Sequence, residues 1–185
     1  MIETQRLVIR LAEAADVPEI IRYYDENRDH LQPFSPVFAL NFLDEALWLE
    51  QVRNRAVESS AAEGFRAFLF PRTAPKRIIG NLNLTQVHRG AFQSCVLGYN
   101  LAAGEQGKGY MTEAVRGAVA LAFDSWKLHR VAANYMPRNT RSAALLERCG
   151  FKIEGHALAY LFINGRWEDH VLTAITNPSW ESPTS

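Results

Sequence analysis

Apolar and polar positions along this chain follow two different periods in succession. The run Leu7-Val8-Ile9-Arg10-Leu11 has the composition of a first strand. Ala14-Ala15-Asp16-Val17-Pro18 then opens a helix, with Asp16 in the capping position and Pro18 tolerated in the first turn. From Asp25 to Phe42 no period holds. Pro33 and Pro36 interrupt the segment and Phe34, Phe38 and Phe42 stand in it, so it reads as an irregular loop whose aromatics either pack or line a groove. Asp44 is expected to cap a helix reaching about Val57.

Three strand-like stretches follow, Phe65 to Phe70, Ile78 to Val87 and Cys95 to Leu101, separated by turn chemistry at Pro71 to Pro75 and at Arg89-Gly90. They predict an antiparallel meander. A glycine-containing loop, residues 103–111, leads into Thr112 to Trp126, where Ala114, Val115, Ala118, Val119, Ala122 and Trp126 recur at helical spacing. Val131 to Met136 reads as a strand, Asn139 to Arg148 as a helix stopped by Gly150, and Phe151 to Phe162 as a strand with an irregularity at Gly155. Asn164-Gly165 is a strong two-residue hairpin signal, because both central positions of that turn need positive φ, and His170 to Thr176 is the return strand. Residues 1–180 are expected to form a single domain and residues 181–185 a disordered tail.

Composition narrows the function classes. With 185 residues, 48% of them hydrophobic, the chain can bury a sizeable core. Its 20 Lys and Arg balance 20 Asp and Glu, so no global field attracts a phosphate backbone and no direct nucleic-acid binding is expected. The N-terminal stretch carries charge within its first apolar run, and no later run nears the roughly 18–20 apolar residues that span a bilayer. Neither a signal peptide nor a membrane anchor is expected. Cys95 and Cys149, far apart among apolar neighbours, suit reduced thiols in a cytoplasmic protein. His30, His88, His129 and His156 show no metal-ligand spacing and read as surface or packed residues, so no metal is expected. Trp126, Trp167 and Trp180 read as packing, and no Gly-x-Ser-x-Gly elbow occurs.

The strand, glycine loop and helix around Gly107 and Gly109 bring free N–H groups and a positive helix end to one place, which makes an anion site; the alternative is a tight turn needing glycine for its dihedrals alone. A nucleotide-triphosphate loop is excluded, since Gly107-Lys108 is followed by Gly109 and not by Ser or Thr. A dinucleotide fingerprint is excluded by Thr112 where a third glycine is needed.

Gln106-Gly107-Lys108-Gly109-Tyr110-Met111 resembles the acetyl-CoA pyrophosphate loop of the GCN5-related N-acetyltransferases, with Met111 departing from the last position. At the expected distance, Asn139-Thr140-Arg141-Ser142, Leu145-Leu146-Glu147-Arg148 and Gly150-Phe151 are similar to the helix and Gly-Phe ending with which that superfamily contacts CoA. The element order agrees along nearly the whole chain. Residues 106–114, Ala133-Asn134-Tyr135-Met136-Pro137 and Asn164-Gly165-Arg166-Trp167-Glu168-Asp169-His170 further resemble the ribosomal-protein-alanine N-acetyltransferases, the RimJ and RimL group.

The resemblance implies an α+β fold: a twisted, mostly antiparallel sheet of seven strands, splayed at its centre, with helices on both faces. It implies acetyl-CoA as cosubstrate. The main chain of Gln106, Gly107, Lys108, Gly109, Tyr110, Met111 and Thr112 would hold the pyrophosphate. Asn100, Leu101 and Ala102 would hydrogen-bond the pantetheine arm, with Asn139 and Ser142 on its other side. Many relatives carry a catalytic tyrosine where this chain has Leu146, which leaves Ser142 as the available hydroxyl to act on the leaving thiolate.

No carboxylate stands in Cys95 to Leu101, where a base is expected. An α-amine of pKa near ~7.8 reaches its neutral form at pH 7 for roughly 1 kcal/mol, whereas a lysine near ~10.4 needs roughly 4.6. The gap therefore favours acetylation of a protein N-terminus, with a ribosomal protein implied by the resemblance, although Glu105, Asp169 or His170 can relay protons through water. Two rivals stay open. A small-amine acceptor, such as a polyamine, an amino sugar or an antibiotic, demands a deep acidic pocket. A CoA sensor without chemistry is consistent with Met111, Leu146 and the missing carboxylate.

Overall fold

The computed structural model describes residues 1–61 and 63–182. Eight strands form one sheet: β1 (Ile2–Glu3), β2 (Leu7–Arg10), β3 (Phe65–Pro71), β4 (Gly80–His88), β5 (Ser94–Leu101), β6 (Arg130–Tyr135), β7 (Lys152–Ile163) and β8 (Arg166–Thr176). Their spatial order is β1-β2-β3-β4-β5-β6-β8-β7, antiparallel at every step except β5 to β6. The architecture is the expected one with one strand more. The extra strand is the pair Ile2–Glu3, which registers with β2, packs Ile2 against the core and pairs Glu3 with Arg72 at 2.8 Å.

The helices are α1 (Val17–Glu26), α2 (Arg28–Leu31), α3 (Glu45–Ser60), α4 (Tyr110–Ala120) and α5 (Thr140–Arg148). They cover both faces of the sheet, and β3 shows why its sequence is almost continuously apolar. Phe65, Ala67 and Leu69 face the core under α4 and α5, while Phe68 and Phe70 face the core under α1 and α3. Pro18 stands in the first turn of α1, as expected, and Asn164 (φ 46°) and Gly165 (φ 83°) make the two-residue turn between β7 and β8.

Three local expectations need correction. The segment from Asp25 to Phe42 is not uniformly irregular: α1 runs into it, α2 follows, and Gln32–Phe34 is a turn of 3-10 helix. Its aromatics do both jobs, since Phe38 and Phe42 stack at 4.4 Å and Phe42 meets Tyr24 and Trp48, while Phe34 faces the cleft described below. Asp44 occupies the capping position of α3, but its side chain makes no cap hydrogen bond. The helix expected as Thr112 to Trp126 starts at Tyr110 and changes at Leu121–Ser125 to a π-turn, where Trp126 N–H donates to Leu121 O. Of the expected tail, residues 183–185 lie outside the described residues, and Glu181 and Ser182 have no helix or strand.

The turn between β1 and β2 anchors the glycine loop. Glu113 of α4 accepts hydrogen bonds from the Thr4 hydroxyl, the Arg6 main-chain N–H and the Arg6 guanidinium. Arg6 continues to the carbonyl of Lys108 at 2.8 Å and lies over the Tyr110 ring at 4.7 Å. Partial burial opposes ionisation of Glu113, but the three donors and the Arg6 charge outweigh it and hold the carboxyl below its usual range. A carboxyl depressed in the folded state stabilises the fold above the unfolded pKa, and that stabilisation is lost as pH falls through the folded pKa. Glu113→Gln is therefore expected to lose roughly 1 kcal/mol at neutral pH, given that Arg6 is partly solvent-screened, or about 2–4 °C in Tm. Thermal unfolding across pH checks this: the gap from the parent should close below the carboxylate range.

Candidate active site

The only parallel pair among the described strands is short. β5 and β6 register at Ser94 with Arg130, Cys95 with Val131 and Val96 with Ala132, and beyond these pairs they diverge. A cleft of about 660 Å³ lies along that divergence. Tyr99, Asn100 and Leu101 form one wall, and Asn139, Arg141, Ser142, Leu145 and Arg148 the other. Gln106, Gly107, Gly109, Met111 and Thr112 form its end, and His30, Leu31 and Phe34 cover it.

Strand alternation decides which main-chain groups face this cleft. Ala102 N–H donates to Ile79 O at 2.8 Å, and Asn100 pairs with Asn81, so the main chains of Asn100 and Ala102 face β4. Those of Tyr99 and Leu101 face the opening. Of the three expected arm-binding positions, only Leu101 thus offers its backbone to the cleft, and Tyr99 joins it; Asn100 contributes its side chain.

At the cleft's end, Gly107 and Gly109 have φ of +77° and +82°, a conformation that L side chains rarely adopt. A Cβ on Gly107 would meet nothing within 4 Å, so the loop leaves open space beside it. Gly109 is the N-cap of α4, and the N–H groups of residues 110–112 have no acceptor within that helix, as at any helix start. These donors, with Arg141 and Arg148 on the facing wall, are the equipment that a pyrophosphate needs.

The profile of the family described as an acetyltransferase (GNAT) domain matches residues 6–152. This chain belongs to the GNAT acetyltransferases. It is 43% identical over 179 residues to the [ribosomal protein uS5]-alanine N-acetyltransferase of Escherichia coli (strain K12), covering 96% of this chain and 91% of that one. Among solved structures, the ribosomal-protein-S5-alanine acetyltransferase of Vibrio fischeri superposes with a TM-score of 0.91 at 34% identity, over 97% of each chain. Mycobacterium smegmatis RimJ in complex with CoA-disulfide superposes with a TM-score of 0.85 at 26% identity, over 98% of this chain and 90% of that one. The chain is an acetyl-CoA-dependent N-acetyltransferase.

Within that GNAT frame, the remaining expected residues fall into two groups. Gln106, Met111, Thr112, Asn139 and Ser142 line the cleft. The Gln106 amide spans it, donating to His30 Nε2 at 2.9 Å and accepting from Arg141. Asn139 caps α5 by accepting from Ser142 N–H. Lys108 and Tyr110 turn their side chains away, to Glu105 and to Arg6, so only their backbone is available to the loop. Leu146 and Met111 are buried core residues, which explains why neither needs to match the family pattern in its side chain.

The proposed proton relays stand elsewhere. Glu105 pairs with Lys108 and Arg77, Asp169 accepts from the Ala159 N–H at a bulge of β7, and His170 is buried against Tyr160 with Nδ1 near Glu168 O. None of the three lines the cleft.

Four cleft residues escaped the sequence reading. Arg141 and Arg148 stand at i and i+7 on the α5 face that carries Leu145, a spacing that points to them once the cofactor face is known. Tyr99 required knowledge of the strand's orientation, and His30, expected to be a surface or packed residue, gave no local signal. Tyr99 carries the most chemistry: its hydroxyl lies 2.6 Å from Ser142 Oγ, and burial, only partly offset by this hydrogen bond, pushes it up to about 12. Arg148→Ala is expected to raise the KM for acetyl-CoA about three- to tenfold, and steady-state kinetics at rising salt should show that deficit shrinking.

Proposed function

We propose that this enzyme acetylates the N-terminal α-amine of a protein, with a ribosomal protein as the first acceptor to test. The observation that carries the reading is that, among the described residues, no aspartate or glutamate lines the cleft or the smaller cavity beside it. Without a carboxylate, neutralising a lysine at pH 7 would cost roughly 4.6 kcal/mol, whereas an α-amine needs only about 1. A polyamine also needs anionic partners for its distal ammonium groups, and neither cavity supplies one. The uS5-directed relatives agree with this chemistry.

Acetyl-CoA, when bound, supplies the acetyl thioester that the neutral amine attacks. The N–H groups of Tyr99 and Leu101 point into the opening, where the carbonyl's developing negative charge can accept from them. The loop at 106–112 and Asn139 would hold the cofactor from either end, and Tyr99 and Ser142, which line the cleft between them, would serve the leaving thiolate. Either hydroxyl can donate to the other, and whichever does so leaves one O–H for the cleft.

Full proton transfer from this pair is unfavourable, since Tyr99 at about 12 stands well above a thiol near ~8.5, a gap of roughly 4 to 5 kcal/mol. The pair therefore stabilises the departing thiolate by hydrogen bonding, and the proton that completes the thiol is the one released by the amine to solvent. Ser142 acts as a hydrogen-bond donor, and Tyr99 positions it.

Two measurements follow. Thiol release from acetyl-CoA is expected with short peptides bearing free N-terminal Ala, Ser or Met, rising with pH through about 7.8. Matched N-blocked peptides with one internal Lys, and polyamines, are expected to give little; turnover on those alone would sink the reading. Ser142→Ala is expected to lower kcat about 10- to 100-fold with little change in acetyl-CoA affinity, and Tyr99→Phe to lower it less. Equal loss of acetyl-CoA binding in both variants would reassign the pair to cofactor holding.

A further inference from the structure

A second cavity of about 280 Å³ adjoins the cleft on the far side of Asn100, the residue common to both linings. One loop covers the two spaces in succession: His30, Leu31 and Phe34 over the cleft, then residues 35–39 and Phe42 over the smaller cavity. Its floor is a polar network whose own side chains carry no formal charge; the charge that acts on it is the Arg55 cation, through Tyr24, which would further disfavour a cationic side chain. The Tyr24 hydroxyl accepts from Asn81 Nδ2 at 2.6 Å, Asn83 leans on Asn81 Oδ1 at 3.4 Å, and the Tyr23 hydroxyl donates to Asn100 Oδ1 at 2.6 Å. Asn81 is 5% exposed and Tyr24 8%. Burial pushes both tyrosines up, so they stay protonated. Opposite the network stand Pro36, Val37, Phe38 and Phe42.

We propose that this cavity holds the first residues of the acceptor peptide and selects for an uncharged side chain at its second residue, with Tyr24, Asn81 and Asn83 as the residues that set the selectivity. The inference rests on the α-amine reading above and deepens it. Amide side chains both donate and accept, which matches a peptide main chain, whereas a polyamine offers donors only. The apolar wall accommodates a small side chain, and the volume, at the lower end for ligand pockets, suits a short segment of chain. A charged side chain at the second acceptor residue would be desolvated here without a counter-charge. Asn100, pinned through Oδ1 by Tyr23, keeps its Nδ2 at the junction where the α-amine must cross to the thioester.

The test compares Ala-Ala and Ala-Lys peptides of equal length on the parent enzyme and on Asn83→Asp, which places a carboxylate in the cavity at nearly constant volume. The parent is expected to favour Ala-Ala by roughly tenfold or more in kcat/KM, through KM. Asn83→Asp should erase or invert that preference while leaving acetyl-CoA affinity unchanged, because Asn83 does not line the cleft. Asn83→Ala, which adds no charge, should raise KM for both peptides without altering their ratio. On the parent, an unreactive N-blocked peptide with a photoreactive side chain at its second residue should cross-link to residues 35–42. Turnover of free N-terminal peptides with a ratio that Asn83→Asp does not move, or cross-links confined to other segments, would overturn this site and leave α-amine acetylation standing. Turnover on polyamines alone would overturn both.

Discussion

Strands β5 and β6 pair for three residues and then part, and the chemistry depends on what that parting leaves undone. Beyond Val96, the outward N–H and C=O groups of Leu97, Tyr99 and Leu101 are directed at a strand that has moved away. Buried main-chain polar groups without partners destabilise a fold by an amount comparable to a lost hydrogen bond each. A sheet interrupted in this way is tolerable where water or an extended ligand occupies the gap, and an amide-bearing arm can add to a strand edge. Parallel direction is part of the constraint. Consecutive antiparallel strands close with a tight turn, whereas the crossover from β5 to β6 carries the glycine loop and α4, and so delivers a helix N-terminus to the mouth of the same gap.

The surrounding structure then holds three pieces still around the gap. Glu113 and Arg6 fix the glycine loop from behind, through the Lys108 carbonyl and the Tyr110 ring. Asn139 fixes the start of α5 by capping, which sets Ser142 opposite Tyr99. The covering loop is tied to the β7–β8 turn by Asn164 N–H to Ser35 O at 2.9 Å, and to Arg138 through Pro33 O and the Phe34 ring. Each tie uses charge or a hydrogen bond at the rim, while the space itself is lined by main-chain dipoles, amides, hydroxyls and apolar groups, with the cations Arg141 and Arg148 on one wall and no carboxylate among the described residues. That division suits a reaction in which a neutral amine must approach and a thiolate must leave.

Much of this was legible in the sequence because it is local. The Asn164-Gly165 turn, Pro18 in the first turn of α1 and the helical repeat from Ala114 to Ala122 are dictated by dihedral and burial preferences that a short window contains. What failed to show is non-local. Ile2–Glu3 is a strand only because β2 lies beside it, and α2 is too short to form without tertiary support. Asn100 and Ala102 were expected to offer their backbone to the arm, yet alternation sends it to β4, a one-residue phase that composition cannot reveal. His30 meets Gln106 across 76 positions of sequence.

In the proposed mechanism, the Tyr99–Ser142 pair would take the role that the family resemblance assigns to a tyrosine at the position of Leu146. Leu146, where relatives carry a tyrosine, is 1% exposed and packs with Phe151 and Ala133, so a hydroxyl there would compete with the core. Tyr99 reaches the same space from the sheet. The burial that lifts it to about 12 makes it a poor proton source, but also keeps it protonated through the range in which an α-amine titrates. A positioning hydroxyl that keeps its proton would suit the proposed reaction, in which deprotonation of the acceptor amine limits the rate. On that reading, the rise of rate with pH through ~7.8 would come from the substrate's amine.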